Sequence, residues 1–124
     1  MKQVHRWHRA VAAALLTLAA AAGPVAAQTP AKPTAAVKIL LENDKVVAGE
    51  TTWAPGTENS MSARPPRVIR ALAGGTLTVI YADGRTEQRV FETGGVYYFD
   101  RDAAPNRLKN EGATEVKVYF VFMK

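Results

Sequence analysis

An all-β fold, a small antiparallel barrel or jelly roll, is predicted by three features of the sequence. Seven stretches rich in β-branched, aromatic and alternating residues follow one another after Ala36, glycine-bearing turns separate them, and nothing in that region carries a helical period. A closed barrel also removes the free edges that so strand-rich a chain would otherwise present.

The first part of the chain stands apart from that pattern. A positive head (Lys2, Arg6, Arg9) precedes the apolar run 10–22, the breakers Gly23 and Pro24, and Val25-Ala26-Ala27. This is the layout of a secretory signal peptide, residues 1–27, cleaved after Ala27. The run is shorter than the roughly 20 residues that span a bilayer. A periplasmic or secreted protein with no membrane anchor after cleavage is therefore expected, and the lack of cysteine excludes a lipid-modified one. Residues 28–36, proline-bearing and without a period, read as a flexible leader, and residues 37–124 as the barrel.

The strands justify themselves in order. Residues 37–41 (VKILL) and 46–53 (VVAGETTW) come first, and Ala54-Pro55-Gly56 ends the second. Residues 68–72 and 76–81 flank Gly74-Gly75. Asp83-Gly84 then stands between 76–81 and 86–91, and predicts a type I′ hairpin because that pair accepts positive φ at low cost. Gly94-Gly95 leads into 96–99. In 114–123, Val116, Val118, Phe120 and Phe122 form the core face; the alternate face turns apolar towards its end, which suggests cover by another strand or another subunit.

Composition narrows the function. The formal charge of +5 drops to +2 once Lys2, Arg6 and Arg9 are removed with the signal, so there is no electrostatic case for nucleic acid or an anionic membrane. Both histidines, His5 and His8, lie in the signal, leaving the barrel without imidazole or thiol for metal binding, base catalysis or nucleophilic attack. With no disulfide available, a single small core is expected to gain from homodimerisation.

The residues from Gly56 to Gly75 and from Gly95 to Asn110 resemble the two signature motifs of the cupin superfamily, in its small single-domain form. Counting from Gly56, the histidine positions of the first motif fall on Ser62 and Arg64, and its glutamate on Arg67 or Val68, depending on whether Gly74 or Gly75 closes it. Counting from Gly95, the histidine of the second motif falls on Asn106 and its final asparagine on Asn110. The resemblance implies a jelly-roll barrel with a metal inside it on three histidines and a glutamate. Every ligand position is substituted. Ser62 and Asn106 are weak neutral donors and Arg64 is a fixed cation, so no metal and no cofactor is expected.

Arg64, Arg67 and Arg70 make the densest cation cluster after the signal. With Ser62 and Asn106 they could form a forked-donor site for a small polar or anionic molecule; alternatively, an inward arginine pairs with Glu58 or Glu92. Glu42, Asp44, Glu58, Glu92, Asp100 and Asp102 read mostly as turn and strand-end carboxylates facing water. The reading is thus an exported, metal-free, non-catalytic cupin-like binder of a small ligand or a protein partner, with Ser62, Arg64, Arg67 and Asn106 as its site. Two alternatives remain: a dioxygenase- or isomerase-like enzyme drawing on Glu92, Tyr97 and Tyr98, and a purely structural dimerisation module.

Overall fold

A computed structural model describes residues 32–124, so the signal peptide and the first part of the leader lie outside the described residues. Eight strands follow: β1 (Ala36–Glu42), β2 (Val46–Trp53), β3 (Arg67–Ala73), β4 (Gly75–Tyr81), β5 (Thr86–Phe91), β6 (Val96–Phe99), β7 (Asn106–Lys109) and β8 (Val116–Met123). They form two antiparallel sheets, β1-β2-β8-β3-β6 and β5-β4-β7. Trp53, Ile69, Ala71, Val116, Val118 and Phe120 of the larger sheet pack against Leu77, Val79, Phe91 and Leu108 of the smaller. Each large side chain so buried stabilises the fold by about 1.5–3 kcal/mol.

Four details differ from the sequence reading. β7 was not foreseen, because NRLK is short and puts an asparagine at an inward-facing position. The last strand starts at Val116 rather than Thr114, since the side chain of the buried Asn110 takes the Thr114 carbonyl (2.7 Å) into a loop. The Asp83-Gly84 hairpin is not type I′. Only Gly84 has positive φ (88°); Gly84 N–H donates to Tyr81 O (3.0 Å) and Tyr81 N–H to Arg85 O (2.9 Å). That is a type I turn closed by a left-handed glycine, the three-residue hairpin loop. Finally, ordered pairing starts ahead of Val37: Glu58 bonds through its backbone to Pro33 and Ala35.

The segment between β2 and β3 carries the site. It runs beside β7, with Asn59 N–H donating to Leu108 O (3.1 Å) and Ser62 exchanging two 3.0 Å bonds with Asn106, and so closes one side of the barrel.

Register separates the two faces of the large sheet. Ile39, Gly49, Phe120, Ile69 and Tyr97 pair in one inward row. At Gly49 a Cβ would stand 2.9 Å from Phe120 Cζ and 2.5 Å from Lys38 O, so only glycine lets that ring lie against the strand. One residue away, Leu41, Ala48, Val121, Val68 and Tyr98 pair in an outward row across all five strands. Leu41 is 53% exposed, Val68 38% and Tyr98 59%, Val121 is half-buried, and Ala48 is covered at 3%.

Candidate functional site

Between the sheets lies a cavity of about 240 Å³. Trp53, Ile69, Phe91, Leu108, Val118 and Phe120 form its apolar lining; Ser60, Ser62, Arg64, Arg67 and Arg89 bring polar groups to it. Strand alternation puts Arg67 on the inward row of β3, opposite Phe122, while Val68 faces out at 38% exposure and Arg70 is exposed. Of the two residues that the motif count left open, Arg67 is the one inside.

The guanidinium groups of Arg64 and Arg67 converge on one carboxylate. Asp102 Oδ2 accepts from Arg64 N (3.0 Å) and Nη1 (3.4 Å), and Oδ1 accepts from Arg67 Nη2 (3.0 Å). Arg64 Nη1 also donates to Asn106 Oδ1 (2.7 Å), whose amide in turn donates to Asp102 Oδ2 (3.3 Å). The side chains are 9%, 3% and 10% exposed for Arg64, Arg67 and Asp102, so this is a buried ion triad. Burial pushes the Asp102 carboxyl up, but the Arg64 N–H and the Arg67 and Arg64 guanidinium groups outweigh it and hold the group below its usual range. Burial likewise lowers Arg64, which stays protonated at any pH the fold survives.

One alternative is corrected here. Arg64 pairs with neither Glu58 nor Glu92: Glu58 is engaged by Arg107 (3.2 Å) and Lys32 (3.6 Å). The carboxylates do mostly face water, Glu42, Asp44, Glu92 and Asp100 being exposed; the exceptions are Asp102, set between two arginines, and Glu58, only 12% exposed. Among the groups named for an enzyme, none lines the cavity. Tyr97 Oη accepts from the Glu92 N–H (2.8 Å), and the exposed Tyr98 hydroxyl donates to Asp100 (3.2 Å).

Arg89 was missed in the sequence, although it sits two residues from Phe91 on the same inward face of β5. Its guanidinium lies 4.7 Å from the centre of the Phe99 ring, which also carries Arg67 at 5.1 Å, and its carboxylate partner is the half-exposed Glu87 (3.4 Å). Three guanidinium groups thus reach the cavity against one buried carboxylate.

A divalent metal does not fit these residues. The Asn106 oxygen that could act as a ligand is taken by Arg64, and among the described residues no three His, Cys, Asp or Glu side chains converge. Two sheets with this strand order and a buried site between them define a cupin-type barrel, the double-stranded β-helix. Solved structures agree. A cupin domain from Bordetella pertussis superposes with a TM-score of 0.68 at 19% identity, over 76% of this chain and 97% of that one. A cupin family protein with a double-stranded β-helix fold from Methanocaldococcus jannaschii gives 0.57 at 14%, over 77% and 84%. A cupin superfamily protein from Desulfitobacterium hafniense gives 0.54 at 13%, over 75% and 80%. No family model matches the chain, and no curated protein does. The likeness is one of fold; the arginine triad is argued from this chain's own residues.

Proposed function

We propose that the barrel is a metal-free binding protein for a small organic anion, held by Arg64, Arg67 and Arg89 with Ser62 and Asn106 beside them. The observation that carries the reading is the charge balance of the cavity: three guanidinium groups, one buried carboxylate, and an otherwise apolar wall. A forked guanidinium in such surroundings favours a carboxylate or phosphate over water. Binding rather than catalysis follows from the position of Glu92, Tyr97 and Tyr98 away from the cavity. Export rests on the signal peptide, and homodimerisation on the outward apolar row Leu41–Ala48–Val121–Val68–Tyr98.

Thermal melting tests the reading. Millimolar small carboxylates or phosphate should raise the melting temperature of the wild type, by the mass-action stabilisation any native-state ligand gives. Arg89→Ala leaves the Arg64–Asp102–Arg67 triad intact and should weaken that rise; Arg64→Ala should abolish it. A wild-type melting temperature that no anion moves would refute the proposal.

A further inference from the structure

β1 departs from the rest of the large sheet. All seven of its residues are exposed, Val37 at 57% and Ile39 at 50% among them, although both stand on the inward face. Val37 pairs with Thr51 and Ile39 with Gly49, in rows that continue to Val118 and Phe120 on β8. On the row of Ile39, Phe120 is 3% exposed and Ile69 7%, because the smaller sheet packs over them. Three strands set against five stop short of the edge, and β1 is left uncovered. The cavity runs out there: Val37 lines it and is more than half exposed, so the space between the sheets opens to solvent at that residue. Ile39 continues the apolar strip one step along the strand, beside the bare backbone of Gly49. The charges of β1 leave the strip clear, since Lys38 is on the outward face opposite Glu50, and Glu42, at the far end of the strand, bonds to Lys124 (3.1 Å). An uncovered apolar strip continuous with a ligand-sized space marks a binding surface.

We infer that the ligand is a long-chain monocarboxylate whose hydrocarbon tail crosses the large sheet, leaves the cavity at Val37 and lies on the inward face of β1 over Ile39. The head of this molecule rests on the anion reading above, and the tail is what β1 adds to it. Arg64, Arg67 and Arg89 are met by Asp102 and Glu87, which leaves one positive charge, the complement of a monoanion. Arg67 on β3 and Ile39 on β1 are three strands and one inward level apart, about 16 Å at roughly 4.8 Å per strand and 3.3 Å per residue. An extended twelve-carbon acid is about 13 Å long at the roughly 1.2 Å per bond of an extended chain, and its hydrogen bond to a guanidinium adds about 3 Å. The cavity of about 240 Å³ lies below the roughly 300–1,000 Å³ of drug-sized pockets, so it holds the head and first carbons and leaves the end of the tail to the open strip. Aliphatic side chains reward an alkyl tail there and offer nothing to a polar one.

The test titrates hexanoate and dodecanoate into the full chain by calorimetry. Dodecanoate should bind at least about a hundredfold more tightly, well under the roughly fourfold for each of six fully buried methylenes, because the end of the tail is covered on one side only. Ile39→Asn should narrow that ratio about tenfold. Independently of any variant, the chain has three isoleucines, Ile39, Ile69 and Ile80, whose δ1 methyl resonances report three places. Ile69 lines the cavity and should move with either acid, Ile39 with dodecanoate alone, and Ile80, outside the cavity, with neither. A ratio near one, a ratio that Ile39→Asn leaves unchanged, or an Ile39 methyl that dodecanoate does not move overturns the inference, and binding of hexanoate then leaves the anion site standing. An Ile39 methyl that shifts with protein concentration and not with acid gives the strip to a second copy of the chain and overturns it as well. If no anion of any kind binds, the anion reading falls with it.

Discussion

Asn106 and Asn110, four residues apart at the two ends of β7, are both buried and are put to opposite uses. Asn110 is satisfied by backbone alone: its amide donates to the carbonyls of Trp53 (2.9 Å) and Thr114 (2.7 Å), and its side-chain oxygen accepts from Gly112 N–H (3.0 Å). Asn106 instead accepts from Arg64 and donates to Asp102, its amide shared with one carbonyl, that of Ala104 (3.2 Å). Backbone partners cannot leave, so the Asn110 end is a clamp; side-chain partners can turn, so the Asn106 end is the one that the proposed anion site would draw on. Two residues of one type, equally inaccessible, thus differ in what they touch: carbonyls and an N–H of the backbone for Asn110, an ion pair for Asn106.

The largest effect that could sharpen this contrast is expected at Asp102. Asp102→Ala strands two buried guanidinium groups and should cost roughly 3–5 kcal/mol. For a domain of this size that is a fall of about 12 °C or more in melting temperature. A small organic anion should restore part of the loss by taking the vacated position. Next comes Asn110→Ala, which leaves the Trp53 and Thr114 carbonyls unpaired and should cost about 2–3 kcal/mol in urea unfolding with no change in anion affinity. Asn106→Ala should be milder, about 1–2 kcal/mol, because Arg64 keeps Asp102, but it should alter anion affinity. Equal stability losses with equal effects on binding would erase the distinction between the two ends.

Acid titration separates the ends by sign. Asp102 is held below its ordinary value of 3.8 in the folded chain, so its contribution is complete above that pH and disappears as pH falls through the lowered value. The gap in unfolding free energy between wild type and Asp102→Asn should therefore narrow below about pH 4. Asn110→Ala should show no such narrowing. The smallest effect on stability is expected on the outer face. Tyr98→Glu should change monomer stability by less than about 0.5 kcal/mol, yet the dimer we propose for the wild type should be lost, so that sedimentation shows a dimer for the wild type and a monomer for the variant.

Much of the strand order was legible in the sequence because alternation is strong wherever one face is buried, as in Val116, Val118, Phe120 and Phe122. β7 was not, since its inward residues are Asn106 and Leu108, and an inward polar residue breaks the pattern that marks a strand. The Asp83-Gly84 turn was visible but its type was not: Asp-Gly serves both hairpin families, and the loop length that decides between them is set by the pairing of Tyr81 with Arg85. Motif spacing led to Ser62, Arg64 and Arg67, which line one cavity, and to Asn106, which stands behind Arg64 and bonds to it. The partner of the arginines could not be read that way. Asp102 belongs to the run between β6 and β7, and its place beside Arg64 arises from a hydrogen bond between residues 38 positions apart. Arg89 was readable through its two-residue spacing from Phe91, once that ring is known to point inward.

The exchange of imidazole for guanidinium also changes what the medium can do to the pocket. A histidine-lined barrel gains or loses charge between about pH 5 and 8. Here no imidazole is present in the barrel, and the carboxylate between the guanidinium groups is held below the usual carboxylate range, outside that interval. Occupancy by an anion should be as constant in a slightly acid surrounding as in a slightly alkaline one, which the export we propose would call for.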